Sequence, residues 1–180
     1  MSAAAELIAE VGWGRVTTRA VAERADLPHG AVSYHFRGKQ ELLIEAAMHA
    51  FEQALPIEQF EALETVDDLI GLIGAEVGDR EAIDPHVSRL MLEAMREAER
   101  EPALRHRLGG TLRRYRETMV ELVRADQERG ATFAGASPEA IATLLGAVGD
   151  GLLLHALLDP ELDVPGAVEA LRALLQGSSG

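Results

Sequence analysis

The amino-acid sequence predicts an all-helical protein, on three observations. Alanine and leucine dominate, aromatic residues make up only 4% of the chain, and Val and Ile are thinly spread, a composition that suits packed helices better than sheet. Apolar residues recur at intervals of three and four along most of the chain. Caps and breakers punctuate the ends of those segments. At 180 residues and 47% hydrophobic content the chain can fill a real core. The expected architecture is a small N-terminal three-helix domain, joined by a long helix to a larger helical domain, with about nine helices in all.

The first helix covers residues 2–11, where Ala4, Leu7, Ile8 and Val11 line one face and Gly12 follows at the capping position. Thr17 and Thr18 place a hydroxyl before a short second helix over 19–25, which Asp26-Leu27-Pro28 interrupts. A third short helix over 29–36 carries Val32 and Phe36 four residues apart, and Arg37-Gly38 breaks it. The fourth, residues 39–55, has Leu43, Ala47, Ala50 and Ala54 on one side, ends at Pro56, and leads out of the small domain. Thr65 to Asp68 has the spacing of a capping box, opening a fifth helix with Val66, Leu69, Ile70, Ile73 and Val77 on one face. The sixth starts at Asp84 and runs through Val87, Leu90, Met91, Ala94, Met95 and Ala98 until Pro102 begins a new element.

Leu104, Leu108, Leu112, Tyr115, Met119 and Leu122 trace the seventh helix to about Gln127. After a break between Gly130 and Gly135, Ser137-Pro138 sets a cap residue before a proline at the first helical position, and the eighth helix continues to about Leu158. Asp163-Val164-Pro165 opens a ninth with Val164, Val168, Leu171 and Leu175 on its apolar face. The predicted domains are 1–50 and 51–176, with a frayed tail over 177–180.

The net charge of −13 argues against indiscriminate nucleic-acid binding. Its distribution says more. Residues 1–50 carry five basic and six acidic side chains, so nearly all of the acidity belongs to the remainder. Within 15–39 the balance reverses, with Arg15, Arg19, Arg24, Arg37 and Lys39 against Glu23 and Asp26. Lys39 is the only lysine, and an ammonium at a helix start is unfavourable beside the macrodipole unless an anion is near. A DNA phosphate would be that anion.

A helix-turn-helix needs a small residue where its helices cross, a turn residue tolerant of left-handed φ, and apolar residues locking the second helix. Ala22, Asp26 and the set Val21, Ala25, Leu27 and Val32 meet these needs at the right offsets. Together with Thr17-Thr18-Arg19-Ala20-Val21-Ala22, His29-Gly30-Ala31-Val32-Ser33-Tyr34-His35-Phe36 and Lys39-Gln40-Glu41-Leu42-Leu43, the stretch over 4–50 resembles the signature of the TetR family of transcriptional regulators. The resemblance implies that the third helix enters the major groove of an operator. Residues matching Thr18, Tyr34 and Lys39 would cap the second helix and hold the DNA backbone, while those matching Arg19, His29, Gly30, Ala31, Ser33 and His35 would face the groove. Asp26 departs from the family's usual glycine and Ser33 from its common tyrosine. The rest of the chain resembles the family only in layout.

Such regulators enclose an inducer among the fifth to eighth helices, which makes Met91, Met95, Tyr115, Met119, Leu145 and Val148 the candidate ligand residues. With Phe60 and Phe133 as the other aromatics of this region, an aliphatic or mixed ligand suits it better than a large flat one. The eighth helix carries Ile141, Leu144, Leu145, Val148 and Leu152 on one face, but Leu153, Leu154, Leu157 and Leu158 spread round its second half. A helix apolar all round must be covered on both sides, so Leu153, Leu154, Leu157 and Leu158, with Val168, Leu171 and Leu175, are expected at a homodimer seam. A membrane span is not expected over 141–158, because Asp150 sits at its middle, at a cost of about 2.5 to 3.5 kcal/mol on insertion scales.

There is no cysteine, and the six histidines show no metal-ligand spacing. No nucleophile frame or phosphate loop is present. Neither enzyme nor cofactor is therefore expected. Met1 to Val11 lacks a basic start and does not read as a signal peptide, so the cytoplasm is the expected location. The expected function is a ligand-responsive repressor on a pseudo-palindromic operator. The alternative is a sensing or interaction module of the same fold that does not bind DNA.

Overall fold

The structure, a computed structural model, describes residues 1–79, 84–130 and 135–176. The 177–180 tail and Phe133 lie outside the described residues. Among those described, the structured elements are helices only: α1 (Ser2–Val11), a 3-10 turn (Trp13–Arg15), α2 (Thr18–Arg24), α3 (His29–His35), α4 (Lys39–Ala54), α5 (Ile57–Glu61), α6 (Val66–Gly78), α7 (Pro85–Ala98), α8 (Pro102–Glu128), α9 (Pro138–Leu158) and α10 (Val164–Gln176). Local chemistry explains the starts. Thr65 and Asp68 close a reciprocal capping box on α6, Asp84 Oδ1 accepts from the His86 backbone ahead of α7, and Ser137 caps α9 with Pro138 just inside. The five-residue α5 was not expected; it is too short to show a periodicity.

The chain forms two compact units, the first from Met1–Pro56 with Asp84–Thr111 and the second from the remaining described residues. In the first, Ala4, Leu7 and Ile8 of α1 and Leu43, Ala46 and Ala47 of α4 join Trp13, Val16, Val21, Ala22 and Val32 in one buried cluster. Leu90 and Ala94 of α7 and Leu104 of α8 belong to the same cluster. The three-helix head is thus closed by residues more than forty positions further along the chain. Arg107 pairs with Glu45 of α4 at 2.6 Å, lowering the pKa of the Glu45 carboxyl through that hydrogen bond.

In the second unit α6 packs against α9 and α10. Gly74 lets α10 approach closely: a Cβ there would stand 3.2 Å from Val168. Val168, expected at a seam between two copies, is instead 5% exposed within its own chain, because α6 offers it this glycine gap. Met119 of α8 lies against Gly146 of α9, and Tyr115 meets Phe60 of α5 edge to face with ring centroids 5.0 Å apart. Asp126, 3% exposed, accepts from the Val66 backbone N–H at 2.8 Å and pairs with Arg129, fixing the start of α6 to α8.

Among the described residues α9 is the one helix long and apolar enough to cross a membrane by length and composition. Asp150 stands at its middle with its carboxyl pushed above the ordinary value by burial, although the residue keeps an exposed outer surface.

Candidate nucleic-acid interface

The reading head is built from α2, α3 and the first turn of α4. Thr17 Oγ1 accepts from the Ala20 backbone N–H at 3.1 Å, so the cap of α2 is Thr17, and Thr18, expected to cap, is the first helical residue. The correction follows from φ: Thr17 is extended, as a capping residue must be. Freed from capping, the half-buried Thr18 has its hydroxyl at the helix N-terminus.

The turn between α2 and α3 closes as a Schellman motif. The Leu27 N–H donates to the Ala22 carbonyl at 2.9 Å and the Asp26 N–H to the Glu23 carbonyl at 3.2 Å. Asp26 takes φ +53°, the left-handed position predicted for it, and aspartate tolerates that region better than most residues. The turn therefore sets α3 without a glycine.

Val32 is 5% exposed and anchors α3 in the core. Gly30, Ser33, Tyr34 and His35 are exposed and Ala31 is half-buried. Tyr34 is 86% exposed, with its ring edge-on to His35 at 5.1 Å. His29 opens the helix; its side chain lies outside what is described. Arg19 is exposed in a pair with Glu23 at 3.0 Å, an i,i+4 contact weak enough to be exchanged for another anion. Arg24 is committed elsewhere, donating to Glu6 and Glu10 of α1, and this hydrogen bond holds the Glu10 carboxyl below its ordinary value. Of the basic residues over 15–39, Arg24 therefore serves the fold.

Lys39 has a partner that its sequence context did not disclose. Its ammonium donates to the Gly14 carbonyl at 2.7 Å, which relieves the unfavourable placement at the start of α4. The Arg37 backbone N–H donates to Glu41 at 2.6 Å, completing the entry to that helix.

The six candidate ligand residues do not share one unit. Met91, half-buried, and Met95, 56% exposed, stand on α7 in the first unit, whereas Tyr115, Met119, Leu145 and Val148 belong to the second, the first three of them buried. A cleft of about 350 Å³ in the first unit is lined by parts of α1, α4 and α7, including Ala5, His49, Val87 and Leu90, and by none of the six. Of the expected seam residues, Leu154, Leu157 and Leu158 are 45%, 38% and 77% exposed, and Leu153, Leu171 and Leu175 are half-buried. Leu144 and Leu174, at 66% and 70%, extend the exposed apolar surface of α9 and α10. No group of three or more metal-ligating side chains occurs among the described residues.

Residues 1–51 match the family profile described as bacterial regulatory proteins, tetR family, and residues 72–178 match that of the BetI-type transcriptional repressor, C-terminal. No curated protein matches the chain. Among solved structures it is similar to a protein described as a transcriptional regulator of Pseudomonas aeruginosa PAO1, with 21% identity and a TM-score of 0.82 over 98% of this chain and 86% of that one. A regulator from Saccharomonospora viridis in complex with choline shares 21% identity at a TM-score of 0.73, covering 95% and 90% of the two chains. The transcriptional regulator FadR from Bacillus subtilis, in complex with stearoyl-CoA, shares 20% at 0.70, covering 97% and 95%. These likenesses are of fold.

Proposed function

The chain belongs to the TetR family of DNA-binding transcription regulators, and from that premise we propose a cytoplasmic homodimeric repressor that a small molecule releases from a two-fold-related operator. It is a regulator, not an enzyme, and its helix-turn-helix is the DNA-binding element. The observation that carries the proposal is the division of labour on α3. Val32 is held in the core while Gly30, Ser33, Tyr34 and His35 face solvent beside an α4 that begins with Lys39.

On DNA, Thr18, Tyr34 and Lys39 bind the backbone, and Arg19, His29, Gly30, Ala31, Ser33 and His35 read the groove. Nothing lies within 4 Å of the position a Cβ would take on Gly30, so the fold leaves that place open for a base. Lys39 exchanges or shares its Gly14 carbonyl with a phosphate.

The exposed leucines of α9 and α10 meet those of a second copy. Large exposed leucines gathered on two helices of one unit favour an association site, and a two-fold dimer matches an operator with half-sites about one helical turn apart. The ligand lodges in the second unit around Tyr115, Met119, Leu145 and Val148, where the flexible Met119 chain resting on Gly146 can be displaced. The relatives' ligands, choline and stearoyl-CoA, differ so widely that the family alone names no ligand for this chain.

Selection of bound sequences from a random DNA pool tests the proposal, followed by operator binding at several salt concentrations. A pseudo-palindrome bound with a steep salt dependence is expected. Enrichment of no sequence would overturn the DNA-reading part. Sedimentation of the parent and of Leu158→Glu tests the seam, which a monomeric parent at micromolar concentration would refute.

A further inference from the structure

The 3-10 turn Trp13–Arg15 takes no part in reading the groove, yet it is bonded on both sides. On one side the Glu93 carboxylate of α7 accepts the Trp13 backbone N–H at 3.1 Å and the Arg96 guanidinium at 2.9 Å. That carboxylate lies so close over Gly12, whose φ is +81°, that a Cβ there would stand 3.3 Å from its Oε2. On the other side Trp13 Nε1–H donates to Gln40 Oε1 at 2.9 Å, and the Lys39 ammonium donates to the Gly14 carbonyl at 2.7 Å. Both of these partners belong to the first turn of α4. A path of hydrogen bonds thus leads from α7, through a turn eighty residues earlier in the chain, to the lysine at the head of α4.

The path is built to transmit position. Trp13 is 2% exposed, so its ring is held by packing and its two N–H groups point to fixed acceptors. The turn has no side-chain cap of its own. Its first backbone donor is met by Glu93 instead, in a charge-assisted bond stronger than a neutral one.

We infer that Glu93 is a positioning residue for operator binding: through the Trp13–Arg15 turn it fixes where Lys39 presents its ammonium to DNA. A displacement of α7 would then be felt at the phosphate without any swing of α4. The inference rests on the reading that Lys39 meets a phosphate.

The test measures operator affinity against salt for the parent, Lys39→Ala, Glu93→Ala, Glu93→Gln and the double alanine variant, using the sequence selected by the parent. Lys39→Ala is expected to reduce the salt slope by about one. Glu93→Ala should do the same and weaken binding about tenfold, the worth of one charge-assisted hydrogen bond. The double variant should bind no worse than Lys39→Ala alone, because both changes remove one contact. Glu93→Gln loses the same negative charge but keeps an oxygen for the Trp13 N–H, so it should bind nearly as the parent does. Trp13 is the chain's only tryptophan; its emission should shift to the red in Glu93→Ala and stay in place in Lys39→Ala.

If Lys39→Ala leaves the salt slope unchanged, the phosphate reading fails and takes the inference with it. A lowered slope in Lys39→Ala with a parental slope in Glu93→Ala, or additive losses in the double variant, overturns the positioning role alone. Should Glu93→Ala not fold, Gln40→Ala cuts the same path at an exposed residue; parental affinity and emission there would overturn the inference equally.

Discussion

Replacing Asp126 by alanine should be among the most damaging single changes in the second unit. The carboxylate is 3% exposed and is the acceptor for the buried Val66 N–H, the first donor inside α6. Without it that N–H is buried and unpaired, at a cost of about 1–3 kcal/mol. Arg129 loses an ion pair but is 47% exposed and keeps the Glu64 carbonyl, so its share is at most about 1 kcal/mol. The total is about 1–4 kcal/mol, which for a chain of this length lowers Tm by about 2–16 °C. Asp126→Asn keeps an oxygen facing Val66 and should lose less than half as much. Thermal unfolding followed by far-ultraviolet circular dichroism measures both. An alanine variant melting within about 1 °C of the parent would refute the claim that Asp126 holds α6 to α8.

Three further changes test other parts of the account. Asp26→Val should lose about 1–2 kcal/mol in urea titration, since a β-branched residue resists φ +53°, whereas Asp26→Gly should match or exceed the parent. Because Arg24 depresses the folded pKa of Glu10, their bond contributes stability above the ordinary carboxylate value of 4.5 and loses it as pH falls through the lower folded value. Arg24→Met should therefore melt below the parent at neutral pH, with the gap closing in acid; a gap constant with pH would count against this. Burial raises the folded pKa of Asp150, so the ionised group opposes folding at neutral pH, and Asp150→Asn should raise Tm there but not below pH 3.8.

Features written within four or five neighbouring residues were legible in the sequence. The capping box of Thr65 and Asp68, the Ser137-Pro138 start of α9 and the left-handed Asp26 depend on local hydrogen bonding and φ, which adjacent side chains decide. The burial of Val32 followed from its helical spacing with Phe36, whereas Tyr34 was singled out by the family resemblance alone. What escaped depends on which distant surface arrives. Val168 sits on the apolar stripe that was read for it, but the glycine gap of α6 covers it instead of a second copy. Met91 and Met95 fall in the first unit and Tyr115 and Met119 in the second, a division that periodicity, which identifies a face without naming its neighbour, does not carry. Asp126 follows Leu122 by four residues on the apolar side of α8. A carboxylate in such a position needs a buried donor, and that signal was available. The Gly14 carbonyl that meets Lys39, and Glu93 with it, could only be found in three dimensions.

The closure of the reading head by Leu90, Ala94 and Leu104 sets a timetable for its birth. At bacterial synthesis rates of about 5–20 residues per second, the ribosome needs about 2.5–10 s after finishing the third helix of the head and its exit helix to deliver Leu104. Until then the faces of α1 and α4 that those side chains cover stay wet, and each missing large side chain withholds about 1.5–3 kcal/mol of burial. A nascent chain therefore cannot present a finished head to the chromosome before α7 and the start of α8 have emerged. The same closure governs engineering: a head grafted onto another sensor after residue 50 would leave its inner surface open, whereas a graft that carries residues 84–111 along takes the lid with it.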